Sequence, residues 1–91
     1  MRTASVAVTA ALILVACTHR AHSSARGRAV FDRSCSGCHT VTGHDTDARG
    51  GDLRLGHLTS AEVASFVRVM PVRPPLDAAD ARAVASYVAQ R

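Results

Sequence analysis

Cys35-Ser36-Gly37-Cys38-His39 is the stretch of this chain whose residue types and spacing carry a definite chemistry. Its two thiols lie about one helical turn apart, and the histidine follows the second directly. Cys-x-x-Cys-His is the attachment signature of a c-type haem. Two thiols at that spacing meet the two haem vinyl groups as thioethers, and the adjacent imidazole points at the iron as its proximal ligand. Other uses of a dithiol fit less well. A structural zinc site needs a second ligand pair, and the chain has no second Cys pair. A thioredoxin-like dithiol follows a β-strand, whereas a helical pattern precedes this motif. A plain disulfide leaves His39 without a role.

A haem iron has a second axial position. Met70, the only methionine besides Met1, lies 31 residues after His39 and is the expected distal ligand. Methionine is ordinarily core filler. Here its helix is expected to end at Met70-Pro71, where a thioether can be presented to iron. His57 or His44 would give a bis-histidine site instead, and an open sixth position is the third alternative.

Three helical stretches must position these groups. The first is expected over 25–34, capped by Ser23 or Ser24, with Gly27, Val30, Phe31 and Ser34 facing inward. The second opens at Thr59-Ser60-Ala61-Glu62, which has the form of a capping box. Val63, Phe66, Val67 and Met70 then fall on one apolar face, and Pro71 stops the helix. The third starts after Asp77, with Asp80 in its first turn and a stripe of Val84, Tyr87 and Val88. The connection between the first two holds five of the six glycines. A connection of that length is functional or packed on something. No alternating pattern suggests a strand, so the fold class is all-α with about three helices.

The N-terminus reads as a targeting segment. Arg2 precedes an apolar run from Ala4 to Ala16, 13 residues long and too short to span a bilayer. Leu14-Val15-Ala16-Cys17 resembles the lipobox of bacterial lipoproteins, which implies cleavage before Cys17 and its lipidation. The alternative is an ordinary signal peptide with Cys17 incidental. The expected organisation is a signal peptide over 1–16, a lipidated Cys17 with a tether over 17–24, and a domain over 25–91. Acyl chains on Cys17 would hold the protein to a membrane at its extracytoplasmic face, each buried CH₂ adding about 0.8 kcal/mol. His19 and His22 read as linker residues rather than metal ligands.

Composition narrows the function further. The chain has 91 residues, three aromatics and no Trp, which excludes multidomain enzymes, repeat arrays and polytopic membrane proteins. So small a chain rarely makes a sufficient core from side chains alone. A bound cofactor would supply the missing bulk. All 11 basic residues are Arg, against seven acids. Without Arg2 the balance is ten against seven, a net +3, which two haem propionates would largely offset. There is no Arg-rich run and no aromatic platform, so nucleic acid is not the expected partner.

Residues 25–91 resemble a small class I cytochrome c. Gly27 and Phe31 stand eight and four residues before Cys35, as in that family, and Val84, Tyr87 and Val88 match its C-terminal stripe. Met70-Pro71 matches its distal-ligand motif. The resemblance implies one covalent haem c, held by Cys35 and Cys38 and ligated by His39 and Met70, with the first and last helices crossing at Gly27. It also implies a one-electron carrier rather than an enzyme, serving redox partner proteins and no small-molecule substrate. The alternatives are a dedicated cytochrome subunit of a periplasmic dehydrogenase or oxidase complex and, further off, a haem-based sensor. Two departures stand out. The family's Gly-Pro, whose proline carbonyl accepts from the proximal imidazole, is here Gly50-Gly51, which leaves that carbonyl less fixed. The interval to Met70 is short, which exposes the propionates; Arg54 and His57 are candidate partners for them. Arg33, Arg68 and Arg73 would form a basic rim that steers acidic partners.

Overall fold

The computed structural model describes residues 24–90. The expected signal peptide over 1–16, the expected lipidation site Cys17 and the expected tether up to Ser23, His19 and His22 among them, lie outside the described residues.

Three helices and no strand are present among the described residues: α1 over 24–34, α2 over Ser60–Val67 and α3 over Ala78–Ala89. Ser24 is helical rather than the cap of α1. The end of α1 runs into the Cys-x-x-Cys-His turn without a break. Phe31 O accepts from the amides of Cys35 and Ser36 at 2.8 and 3.0 Å, and Cys35 O accepts from Cys38 and His39 at 3.2 and 3.1 Å. The turn therefore inherits its orientation from the helix.

The Thr59–Glu62 capping box forms in both directions, the Thr59 hydroxyl accepting from the Glu62 amide at 3.2 Å and the Glu62 carboxylate from the Thr59 amide at 2.9 Å. The far end of α2 differs from the expected one. The helix stops at Val67, and residues 68–70 form a turn in which Val69 donates to Phe66 O at 3.0 Å. Proline disfavours helical backbone in the residue before it. Pro71 thus unwinds Met70, and the final turn tightens ahead of it. Met70 lies three residues beyond the helix, not at its last position. Asp77 caps α3 as expected, accepting from the Asp80 amide at 2.7 Å.

The core is small. Val30 and Phe31 of α1, Val63 of α2, and Ala83, Val84, Ala85 and Val88 of α3 are its buried members, and only Val30 and Val84 of the larger side chains are fully enclosed. Phe31 meets Tyr87 with ring centroids 5.9 Å apart, tilted by 54°. The helices α1 and α3 cross at Gly27, where a β-carbon would sit 2.3 Å from Ala83 O and 2.6 Å from Tyr87 Cβ. Near this crossing the Gln90 amide donates to Ser24 Oγ at 3.1 Å, so the two ends of the described domain touch.

Asp80 adds a clamp between α1 and α3. Arg26 Nε donates to one of its oxygens at 2.7 Å and Arg33 Nη2 to the other at 2.9 Å. These hydrogen bonds, Arg26 first, hold the Asp80 carboxyl below its ordinary range against the opposing effect of partial burial. Arg33 thus shares the Asp80 carboxylate with Arg26, while its side chain stays 58% exposed. Arg68 and Arg73 remain exposed beside Met70.

Candidate functional site

An apolar cleft of about 230 Å³ opens beside the Cys-x-x-Cys-His turn. Cys35 and His39 line it, together with Gly50, Leu53 and Leu58 of the long loop. Val63, Phe66 and Val67 of α2 line it as well, and Met70, Val72 and Leu76 come from the segment after α2. The cleft brings Cys35, His39 and Met70 together; Cys38 lies exposed in the same turn. Burial pushes the Cys35 thiol up, so it is neutral against these apolar walls.

This lining fits an iron macrocycle. Phe66 is 51% exposed and Met70 43% exposed, although both face an apolar cleft, so the chain alone leaves them uncovered. A flat apolar group with a metal at its centre would cover them while taking one nitrogen and one sulfur donor. The cleft is smaller than the roughly 300–1,000 Å³ of typical cofactor sites, so a bound macrocycle would stand partly outside it.

His39 is prepared for a metal by its back side. Its Nδ1 lies 3.2 Å from Gly51 O. A carbonyl oxygen only accepts, so Nδ1 carries the proton and the Nε2 lone pair is left for a metal. Gly50 is needed for a different reason: a β-carbon there would stand 2.6 Å from His39 Cε1 and 2.8 Å from Nδ1. Gly51 has φ +90, a left-handed backbone that suits glycine. The two glycines in place of the family's Gly-Pro therefore still give the imidazole an acceptor and room to pack.

The other histidines are elsewhere. The His44 ring lies 3.3 Å from the Thr42 hydroxyl. His57 lines a shallow depression beside Val88 and Gln90, not the cleft. Arg54 is likewise turned away from the cleft, contrary to its expected place near the propionates. Its guanidinium donates to Val41 O at 2.8 Å and to Tyr87 O at 3.1 Å, and lies 5.1 Å from the centre of the Tyr87 ring. It ties the long loop to the end of α3.

Asp52 escaped the sequence reading altogether. Among the described residues it is the buried charged one, 7% exposed, and five donors converge on its carboxylate. Oδ2 accepts from the Thr42 hydroxyl at 2.6 Å and from the amides of Thr42, Gly43 and Asp45 at 3.1, 2.8 and 3.2 Å. Oδ1 accepts from the Arg54 amide at 3.0 Å. The available signal was a loop crowded with Thr, Gly and Asp, residue types whose side chains bond nearby backbone. Burial pushes the Asp52 carboxyl up, but the Thr42 hydroxyl and the loop amides outweigh it and hold the group well below the usual range. An unfolded Asp titrates near about 3.9, above the folded value. Between the two the unfolded chain binds the extra proton, so stability falls as pH drops below about 4 towards the folded value. Asp52→Asn is expected to make the acid limb of a circular-dichroism pH titration shallower, Asp80 keeping its own share. An acid limb identical to that of the parent protein would refute this.

Three helices with a Cys-x-x-Cys-His turn opening on an apolar cleft define the domain as a c-type cytochrome. A family model described as cytochrome c oxidase, cbb3-type, subunit III matches residues 22–88, and the chain belongs to this family. Comparison with curated proteins and with solved structures gave no match. The protein accordingly has the small all-α cytochrome c fold, binds covalently attached haem c and works by haem-based electron transfer. No helix among the described residues is long and apolar enough to cross a membrane.

Proposed function

We propose that this chain is a one-electron carrier in which Cys35 and Cys38 hold the haem as thioethers and His39 and Met70 are its axial ligands. The observation that carries the reading is the single apolar cleft shared by Cys35, His39 and Met70. Bound haem supplies a ferric–ferrous couple whose potential methionine ligation raises. The chain's own residues do the rest. His39 offers Nε2 while Gly51 O holds its other nitrogen, Met70 offers its thioether from the turn after α2, and the apolar lining keeps water from the iron. With both axial positions filled, substrate has no place to bind. Nothing on the chain resembles an acid–base pair or an activated nucleophile, and its partners are redox proteins. Lipidation at Cys17 would keep this domain at the outer face of a membrane, within reach of them.

A second reading makes the chain a dedicated subunit of an oxidase complex, which the description of its family favours. Co-purification from native membranes separates the two, since a stoichiometric oxidase partner would decide for the subunit.

The ligand set is tested on the matured protein by an optical spectrum and a redox titration. A deep-red methionine-to-iron charge-transfer band in the oxidised form and a single one-electron wave are expected. Absence of that band, or ready CO binding by the reduced protein at neutral pH, would overturn His/Met ligation and favour a sensor.

A further inference from the structure

The acceptor for His39 is the carbonyl of a residue that cannot fix itself. Gly51 has no side chain and a φ of +90, so its peptide is free to swing unless something else holds it. The Gly51 amide donates to Ala48 O at 3.0 Å and the Gly50 amide to Cys38 O, and the next residue adds the larger anchor. Asp52 gathers the amides of Thr42, Gly43, Asp45 and Arg54 and the Thr42 hydroxyl on one buried carboxylate. That hub locks segment 51–54 to segment 40–45, and a short ladder completes the junction. Thr40 donates to Gly51 O at 3.4 Å, and Leu53 donates to Thr40 O at 2.9 Å. His39 is the residue before Thr40. The ring and its acceptor thus sit on the two segments that Asp52 joins.

We propose that Asp52 is a positioning residue for the haem site: its buried carboxylate holds the Gly51 carbonyl against His39 Nδ1 and thereby sets the ferric–ferrous balance. The inference rests on His39 being the proximal ligand, as proposed above. A firm Nδ1–H···O bond raises the basicity of the imidazole and favours ferric iron. Without the carboxylate, four backbone amides lose their acceptor and segment 51–54 moves toward water. The bond to His39 slackens, and the balance shifts toward ferrous iron.

The test uses the haem-loaded protein with Asp52→Ala, Asp52→Asn and Thr42→Val. Two quantities are read: the reduction potential, and solvent exchange of the His39 Nδ1 proton in the diamagnetic ferrous form by NMR. Asp52→Ala is expected to move the equilibrium toward ferrous about tenfold, equivalent to about 59 mV for one electron, and to speed ring-proton exchange. Asp52→Asn keeps an oxygen for the four donors on Oδ2, so the ring proton stays protected. Thr42→Val leaves every charge in place and is expected to move both readouts in the direction of Asp52→Ala by less. A through-space charge effect gives a different pattern, in which Asp52→Ala and Asp52→Asn shift the potential equally while the ring proton stays protected in both. That pattern overturns the proposal, as does parent-like behaviour of Asp52→Ala. Should Asp52→Ala fail to take up haem, Thr42→Val decides on the same two readouts, and no change in either overturns it. If the unaltered protein lacks the low-spin spectrum of a histidine-ligated haem, the assignment of His39 fails instead.

Discussion

Gly27→Ala is expected to lower the Tm of the haem-loaded protein by roughly 8–16 °C, about 2 kcal/mol at 4–8 °C per kcal/mol for a domain of this size. Two effects oppose each other. Alanine is the better helix former, which favours the variant by about 1 kcal/mol. Against this, its methyl would sit 2.3 Å from Ala83 O and 2.6 Å from Tyr87 Cβ. Neither atom can rotate out of the way, so α1 must move bodily off α3. Overpacking of this kind costs about 3 kcal/mol or more. Displacing α1 also strains the Phe31–Tyr87 contact and the Asp80 clamp, and drags the Cys35 turn with it. Gly56→Ala serves as the control. A β-carbon there meets only Leu58 side-chain atoms at 3.6 and 3.9 Å, and a change within about 0.5 kcal/mol is expected. Thermal unfolding followed by circular dichroism checks both variants, and equal Tm values would show that the helix crossing tolerates a side chain.

Met70→Ala has the largest expected effect on the haem. Removing the thioether opens the sixth position, so the reduced protein binds CO and the oxidised protein loses its deep-red band. The potential falls by an amount on the order of 0.1–0.2 V, a fraction of the roughly 0.8 V that axial ligands span. In the polypeptide Met70 is 43% exposed and contributes little to the apolar core, so the spectral change reports a lost ligand rather than lost packing. If His57 or His44 were the ligand instead, Met70→Ala would leave the spectrum untouched. Their positions argue against that outcome, since His57 lines another depression and His44 pairs with Thr42.

What could be read from the sequence was local. The Thr59–Glu62 box, the Asp77 cap and the Gly27–Phe31–Cys35 spacing each depend on residues within a few turns of one another, and each reappears in the fold. The end of α2 is not legible in this way, because apolar periodicity continues to Met70 whereas Pro71 acts on the backbone before it and the helix stops at Val67. Arg54 shows a different limit. Its charge was visible, but its destination at Val41 O and Tyr87 O depends on how the loop folds back on α3. Asp52 is the extreme case. Its donors span residues 42 to 54, and nothing in the type or spacing of a loop aspartate announces that it is buried at their centre. Long-range closure is decided by burial and geometry, which a period of 3.6 does not encode.

The hydrogen bond between Gln90 and Ser24 has a practical corollary. Entry and exit of the domain share one corner, as is common in compact domains that tolerate rearranged termini. A reporter or second redox module fused after Gln90 would emerge beside Ser24. A short linker joining 90 to 24 would then allow the chain to be reopened at the exposed Thr46–Asp47 link, beyond the amides that Asp52 gathers, yielding a circular permutant.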